Sequence, residues 1–238
     1  MTKEKVIAID GPSGSGKSTI AKIVSNKLSL TYLDTGAMFR AIGYSISKLD
    51  IDFSKNELTI SESESVQNLL DSLKFEYGVD DKILIRVNDE DLSEKIREHE
   101  ISTLASLTSK FSPVRNYLKS KQRDIATLKP SVLEGRDIGT VIFPNAAVKI
   151  FLTADPKVRA ERRYSQLIEK DESNRDKYSV EKIMKDIEER DAQDANRTIA
   201  PLTKASDAIE IDTSYLSIEE VAESIIEAYN NKKELFLD

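Results

Sequence analysis

The chain has 238 residues, 39% of them hydrophobic, and a formal net charge of −7. That length and apolar share support a large buried core, while the acidic balance disfavours non-specific binding to nucleic acid or an anionic membrane, so an anionic ligand has to meet locally clustered cations. With no cysteine and the single His99, disulfides, thiolate zinc sites, cysteine nucleophiles and histidine metal sites are excluded. The first apolar run is reached by Val6 without a signal-like leader, and no stretch of about 18 uncharged apolar residues follows, so a cytoplasmic protein is expected.

The first predicted strand, residues 6–10, leads into GPSGSGKST, which is Gly11, Pro12, Ser13, Gly14, Ser15, Gly16, Lys17, Ser18 and Thr19. This stretch fits the phosphate-binding pattern GxxxxGK[ST]. A helix over 17–28 follows, with Ile20, Ile23, Val24 and Leu28 at helical spacing. Gly11, Gly14 and Gly16 free the backbone to turn successive N–H groups onto a triphosphate at the helix N-terminus. Lys17 adds charge for the β and γ phosphates, the Ser18 hydroxyl is placed to ligate Mg²⁺, and Thr19 supports the helix start.

Residues 32–34 read as a second strand, with Thr35 as N-cap of a helix over 37–48. A helix over 61–73, opened by serine caps, presents its charge run to solvent. KFEYG and KILIRVN then alternate as an antiparallel hairpin across VDD, with NDED at 88–91 as a turn, giving a small β lobe over 74–97. Helices over 98–110 and 113–129 follow, the second with Pro113 at its first position. Apolar runs at 131–135, 147–154 and 208–212 bring the candidate strands to five. Short strands alternating with helices imply a parallel sheet covered on both faces, with ligands beyond the carboxyl ends of its strands. Two charged helices, 156–170 and 180–196, flank the polar segment 171–179, expected to be a mobile flap, and a helix over 218–236 ends the chain.

Cations gather near the predicted strand ends. Thr35, Gly36 and Arg40 follow the second strand, where they suit an anion or, equally, a plain surface arginine. Glu134, Gly135, Arg136 and Asp137 follow the third, where function is favoured over packing. Arg159, Arg162 and Arg163 form a like-charge cluster at i, i+3 and i+4 that a polyphosphate would neutralise, unless Asp155 and Glu161 screen it. Arg190, Asp194 and Arg197 share one helix face, as a ligand-binding row or an exposed salt-bridge row. A phosphate monoester, whose second pKa is about 6, is already an anionic nucleophile and needs no histidine or cysteine base. From the residues alone, a kinase of a small alcohol using Asp34 or Asp137 as base, or a nucleotide-gated switch, stands beside a kinase of a nucleoside monophosphate.

AIDGPSGSGKST, YLDTGAMFRA, SPVR, EGRDIGTVIFPNAAVKIFLTA, RAERR and EERDAQDANRTIAPL together make the chain resemble the bacterial cytidylate kinases, P-loop nucleoside monophosphate kinases, over nearly its whole length. The resemblance implies a P-loop NTPase fold, α/β, with a five-stranded parallel sheet flanked by helices, an inserted monophosphate-binding lobe containing a small antiparallel β element, and a short lid. The core would cover about 1–50, 98–160 and 180–238, the insertion about 51–97 and the lid about 161–179. The implied reaction transfers the γ-phosphoryl of ATP·Mg²⁺ to CMP or dCMP. Arg40, Arg136 and Arg197 would hold the acceptor phosphate near Thr35, Ser106, Arg115 and Asp137 would read the cytosine edge, and Arg190 and Asp194 would meet the ribose hydroxyls. Arg159, Arg162 and Arg163 resemble the lid arginines. No exposed apolar stripe argues for a dimer, so a monomer without nucleic-acid or membrane partners is expected.

Overall fold

The computed structural model describes residues 3–80, 84–170, 172 and 177–237; residues 81–83, the end of the predicted VDD turn and the first two residues of the predicted KILIRVN strand, and most of the predicted flap at 171–179, lie outside the described residues. In chain order the elements are β1 (Glu4–Asp10), α1 (Lys17–Leu28), β2 (Thr31–Asp34), α2 (Thr35–Ile46), α3 (Ile60–Ser72), β3 (Phe75–Tyr77), β4 (Ile85–Val87), β5 (Glu90–Asp91), α4 (His99–Thr108) and α5 (Ser112–Leu128). They continue with β6 (Ser131–Gly135), a π-helical turn (Ile138–Ile142), β7 (Ala146–Thr153), α6 (Pro156–Lys170), α7 (Val180–Ala195), β8 (Ile209–Asp212) and α8 (Ile218–Asn230). The chain divides into two compact units, Met1–Leu33 with Ile125–Asp238, and Asp34–Asp124.

The five predicted strands form one sheet in the order β2-β6-β1-β7-β8, with β1 parallel to both β6 and β7, and β7 parallel to β8. Central β1 needs apolar side chains on both faces, and Ile7, Ala8 and Ile9 are fully buried. Asp10 stands level with Gly135 of β6 and Phe151 of β7, so β1 and β6 end together while β7 runs two residues further, to Thr153. Ile20, Ala21 and Val24 of α1 and Val221, Ala222 and Ile225 of α8 pack into the same core as these strands, each aliphatic side chain larger than alanine contributing about 1.5–3 kcal/mol on burial. α6 and α7 meet through Ala160, Ile183 and Ile187.

The second unit holds α2, α3, the three-stranded antiparallel sheet β3-β4-β5, α4 and most of α5. It contains the whole stretch 51–97 read as the insertion. Several local expectations change. NDED is a turn only at Asn88 and Asp89, which take positive φ (48° and 66°); Glu90 and Asp91 go on to pair with β4 as a third strand. Asp34, not Thr35, caps α2, because its Oδ1 accepts the Ala37 N–H at 2.7 Å. α3 is opened by Thr59 in a capping box with Glu62 rather than by a serine. Pro113 is the second residue of α5, still within the first turn where no N–H is needed. In the first unit, α8 ends at Asn230 and a separate 3-10 turn, Lys233–Phe236, folds Phe236 against Tyr229, ring centroids 4.7 Å apart.

Candidate active site

The phosphate-binding pattern lies between β1 and α1, and its glycines have positive φ: 150° at Gly11, 77° at Gly14 and 89° at Gly16. Gly11 is constrained twice, since a Cβ there would stand 2.1 Å from the Leu152 carbonyl oxygen of β7. Ser15 Oγ donates to Pro12 O at 3.0 Å, and Lys17 Nζ donates to the same oxygen at 2.6 Å. Lys17 is buried, which pushes its pKa down to about 7; nearby Arg136 pushes the same way, against Glu134 and Asp10. The loop tip is held from outside. Ser13 N–H donates to Asp191 Oδ1 of α7 at 3.3 Å, and Arg159 Nη1 of α6 donates to Ser13 O at 3.0 Å while pairing with Asp191 Oδ2.

One strand over, β6 delivers Glu134, which accepts the Ser18 hydroxyl at 2.7 Å. Two residues on, Arg136 Nε donates to Asp194 Oδ2 at 2.8 Å, and Arg197 Nη2 lies 3.0 Å from Asp194 Oδ1. A single carboxylate on α7 therefore spans two of the predicted phosphate-binding arginines. Burial works against the Asp194 charge, but Arg136 and Arg197 outweigh it and hold the pKa below the usual carboxylate range. Asp137 is buried and opens the π-helical turn, while Arg190 lies partly buried on α7, one residue before Asp191.

The predicted lid arginines separate in role. Arg159 is buried against the loop, with Nε also donating to Ala154 O at 3.0 Å. Arg162 donates from Nη1 to Thr213 Oγ1 at 3.0 Å, and Thr213 Oγ1 in turn reaches Ser15 O at 3.3 Å. Arg163 is exposed. Among the described residues neither Asp155 nor Glu161 pairs with this cluster; Asp191 and the Thr213 backbone take that place.

In the second unit Thr35 is buried at the start of α2, and the half-buried Arg40 pairs through Nη2 with Asp34 Oδ2 at 3.3 Å. The Asp34 N–H donates to Tyr77 Oη at 2.7 Å. Ser106 lies half-buried on α4. Arg115, buried on α5, donates from Nη1 to Ser109 O at 3.0 Å and stands 5.5 Å from the centre of the Phe39 ring, an arrangement that fixes a guanidinium plane.

Residues 7–231 match the family described as Cytidylate kinase. The chain belongs to the cytidylate kinase family. A cytidylate kinase of Clostridium tetani (strain Massachusetts / E88) is 48% identical over 220 residues, 92% of this chain and 91% of that protein. One from Fervidobacterium nodosum (strain ATCC 35602 / DSM 5306 / Rt17-B1) is 45% identical over 221 residues, 93% of this chain and 94% of that protein. A bifunctional pantoate ligase/cytidylate kinase of Prochlorococcus marinus (strain AS9601) is 44% identical over 234 residues, which are 98% of this chain but 44% of that longer protein.

A divalent metal accompanying the triphosphate of an ATP-dependent kinase would find a fitting donor set here. Ser18 Oγ and the Glu134 carboxylate lie side by side at the head of α1, hard oxygen donors of the kind Mg²⁺ takes while keeping waters and substrate phosphates as its other ligands. No group of three or more histidines, cysteines or carboxylates able to hold a metal occurs among the described residues. The sequence flagged Glu134 only as part of a run after a strand and gave no sign of Asp191 or Tyr77. Their partners lie far off along the chain: Asp191 meets Ser13 across 178 positions and Tyr77 meets Asp34 across 43.

Proposed function

We propose that this protein transfers the γ-phosphoryl group of ATP to CMP or dCMP, giving ADP and CDP or dCDP, as part of pyrimidine nucleotide metabolism. Membership of the cytidylate kinase family supports the reaction, and the observation that carries the acceptor side is the Arg136–Asp194–Arg197 group, one strand over from the phosphate loop. Two guanidinium forks converging on one carboxylate are equally suited to the oxygens of a phosphate monoester. That monoester is ionised at neutral pH and attacks without a protein base.

The loop of residues 11–19 takes the donor phosphates, and Lys17 sets its charge against the β and γ oxygens. Ser18 and Glu134 would hold Mg²⁺, which when bound neutralises charge on the transferring phosphoryl group. Arg136, Arg197 and Arg40 are assigned to the acceptor phosphate, with Thr35 beside them in role. Arg190 and Asp194 are assigned to the ribose, and Ser106, Arg115 and Asp137 to the cytosine edge, where a carboxylate accepts from the exocyclic amine and a guanidinium donates to the ring nitrogen and carbonyl. Residues 161–179 are assigned the lid role; of the three arginines associated with it, Arg159 already reaches the loop through Ser13 O. The net charge of −7 favours a protein without a nucleic-acid partner, and we read it as a cytoplasmic monomer, for which light scattering should return the mass of one chain.

The test is ADP formation from ATP and Mg²⁺ with CMP, dCMP, UMP, AMP, GMP or shikimate offered separately beside a control without acceptor. Fast turnover with CMP and dCMP alone is the expected result. Turnover that no acceptor changes would overturn it in favour of an ATPase.

A further inference from the structure

Asp10 ends β1 directly before the phosphate loop and is only 5% exposed. Both of its oxygens are engaged: Oδ1 accepts the Ile138 N–H at 2.8 Å and Oδ2 accepts the Gly139 N–H at 2.7 Å. These are the first two amides of the π-helical turn, whose own bonds begin only at Val141, where N–H groups return to Asp137 O and then to Ile138 O. The opening amides of any helical turn lack internal partners, and a side chain from β1 supplies them. Lys149 packs against the turn at the same point, and its Cδ would stand 3.2 Å from a Cβ built on Gly139. Lys149 is itself fixed, with Nζ donating to Pro144 O at 2.6 Å and pairing with Asp207 at 2.7 Å.

The consequence falls on the two residues between. Gly135, on their one side, is the strand-register partner of Asp10; Ile138 and Gly139, on their other, are bonded to its carboxylate. Arg136 and Asp137 thus form a short span held at both ends by the last residue of β1. We propose that Asp10 is a positioning residue for the acceptor nucleotide, which sets where Arg136 and Asp137 stand without touching the nucleotide itself. The inference rests on the acceptor roles assigned above to those two residues.

Asp10→Asn is the sharp probe. Asparagine offers one acceptor and one NH₂, so whichever way it turns, one N–H of the turn faces a donor and loses its anchor. KM for CMP should rise about tenfold or more and the preference for CMP over UMP should fall, with KM for ATP within about twofold of wild type. A purely structural role would lower the melting temperature and leave that split unmoved. Gly139→Ala provides an independent probe, because its Cβ presses on Lys149 and lies 3.4 Å from Asp10 Oδ2; the same selective rise in KM for CMP, smaller in size, is expected, and it decides the matter if the asparagine variant does not fold. Equal rises in KM for CMP and ATP, a loss confined to kcat, or no change would overturn the role of Asp10 while wild-type turnover of CMP leaves the reaction standing. A wild type inactive on CMP would remove the reaction, and this role with it.

Discussion

Lys17 is held where its charge is least comfortable in the folded protein, since burial favours the neutral amine. Its folded pKa of about 7 lies below the ordinary value of 10.5, so between those values the unfolded chain holds the extra proton and stability rises with pH. Put the other way, the contribution of this side chain is lost as the pH falls through about 7. Lys17→Met keeps the stem and removes the charge. It should abolish turnover yet raise the melting temperature, by a few degrees for a gain on the order of 1–2 kcal/mol. Urea melts of both proteins at pH 7, 8 and 9 provide the check: the difference in stability between variant and wild type should shrink as the pH rises. A variant less stable than wild type at pH 7 would mean that the hydrogen bond to Pro12 O outweighs the burial of charge.

At the scale of elements, α7 is the part that ties the phosphate loop to the Arg136–Arg197 pair within its unit. Asp191 faces the loop tip and Asp194 the arginine pair, three positions apart, which puts them close to one side of the helix. Asp191→Ala removes the only described side chain bonded to the Ser13 N–H and leaves Arg159 without its carboxylate. The expected result is a rise in KM for ATP of about fivefold to thirtyfold, from a loss of about 1–2 kcal/mol, with KM for CMP much less affected; steady-state kinetics with each substrate varied in turn distinguishes this from a general loss. Element boundaries were legible in the sequence where punctuation was strong: the start of α1 at Lys17, the span of β6 and the span of α6 fall where glycine, proline and apolar periodicity put them. The π-helical turn was not, because IGTVI carries no local signal and forms around the Asp10 carboxylate contributed by a distant strand. β5 was missed for a related reason, its two acidic residues reading as turn until β4 is there to pair with them.

For the molecule as a whole, two compact units predict that unfolding is not a single event. Scanning calorimetry should resolve two transitions, and ADP with Mg²⁺ should raise the one belonging to the unit that carries the phosphate loop, by mass action on its folded state. One transition whose calorimetric and van't Hoff enthalpies agree would show that the units unfold together. The candidate site follows the same division between what a sequence displays and what it conceals. Residues that act through their own type and spacing, such as Lys17, Ser18 and the arginines, could be picked out from the linear chain; Asp10, Glu134 and Asp191, which act by holding others, take their meaning from partners more than 100 positions away. Gly11 and Lys17 also differ in what keeps them in place. The glycine is demanded by the Leu152 carbonyl of the next strand, whatever the protein does, whereas burial disfavours the charge of the lysine, whose place is accounted for by the donor role proposed for it. In a lineage that gave up phosphoryl transfer, Lys17 would be among the first letters to drift and Gly11 among the last, so the lysine, not the glycine, is the mark by which a working descendant would be told from a silent one.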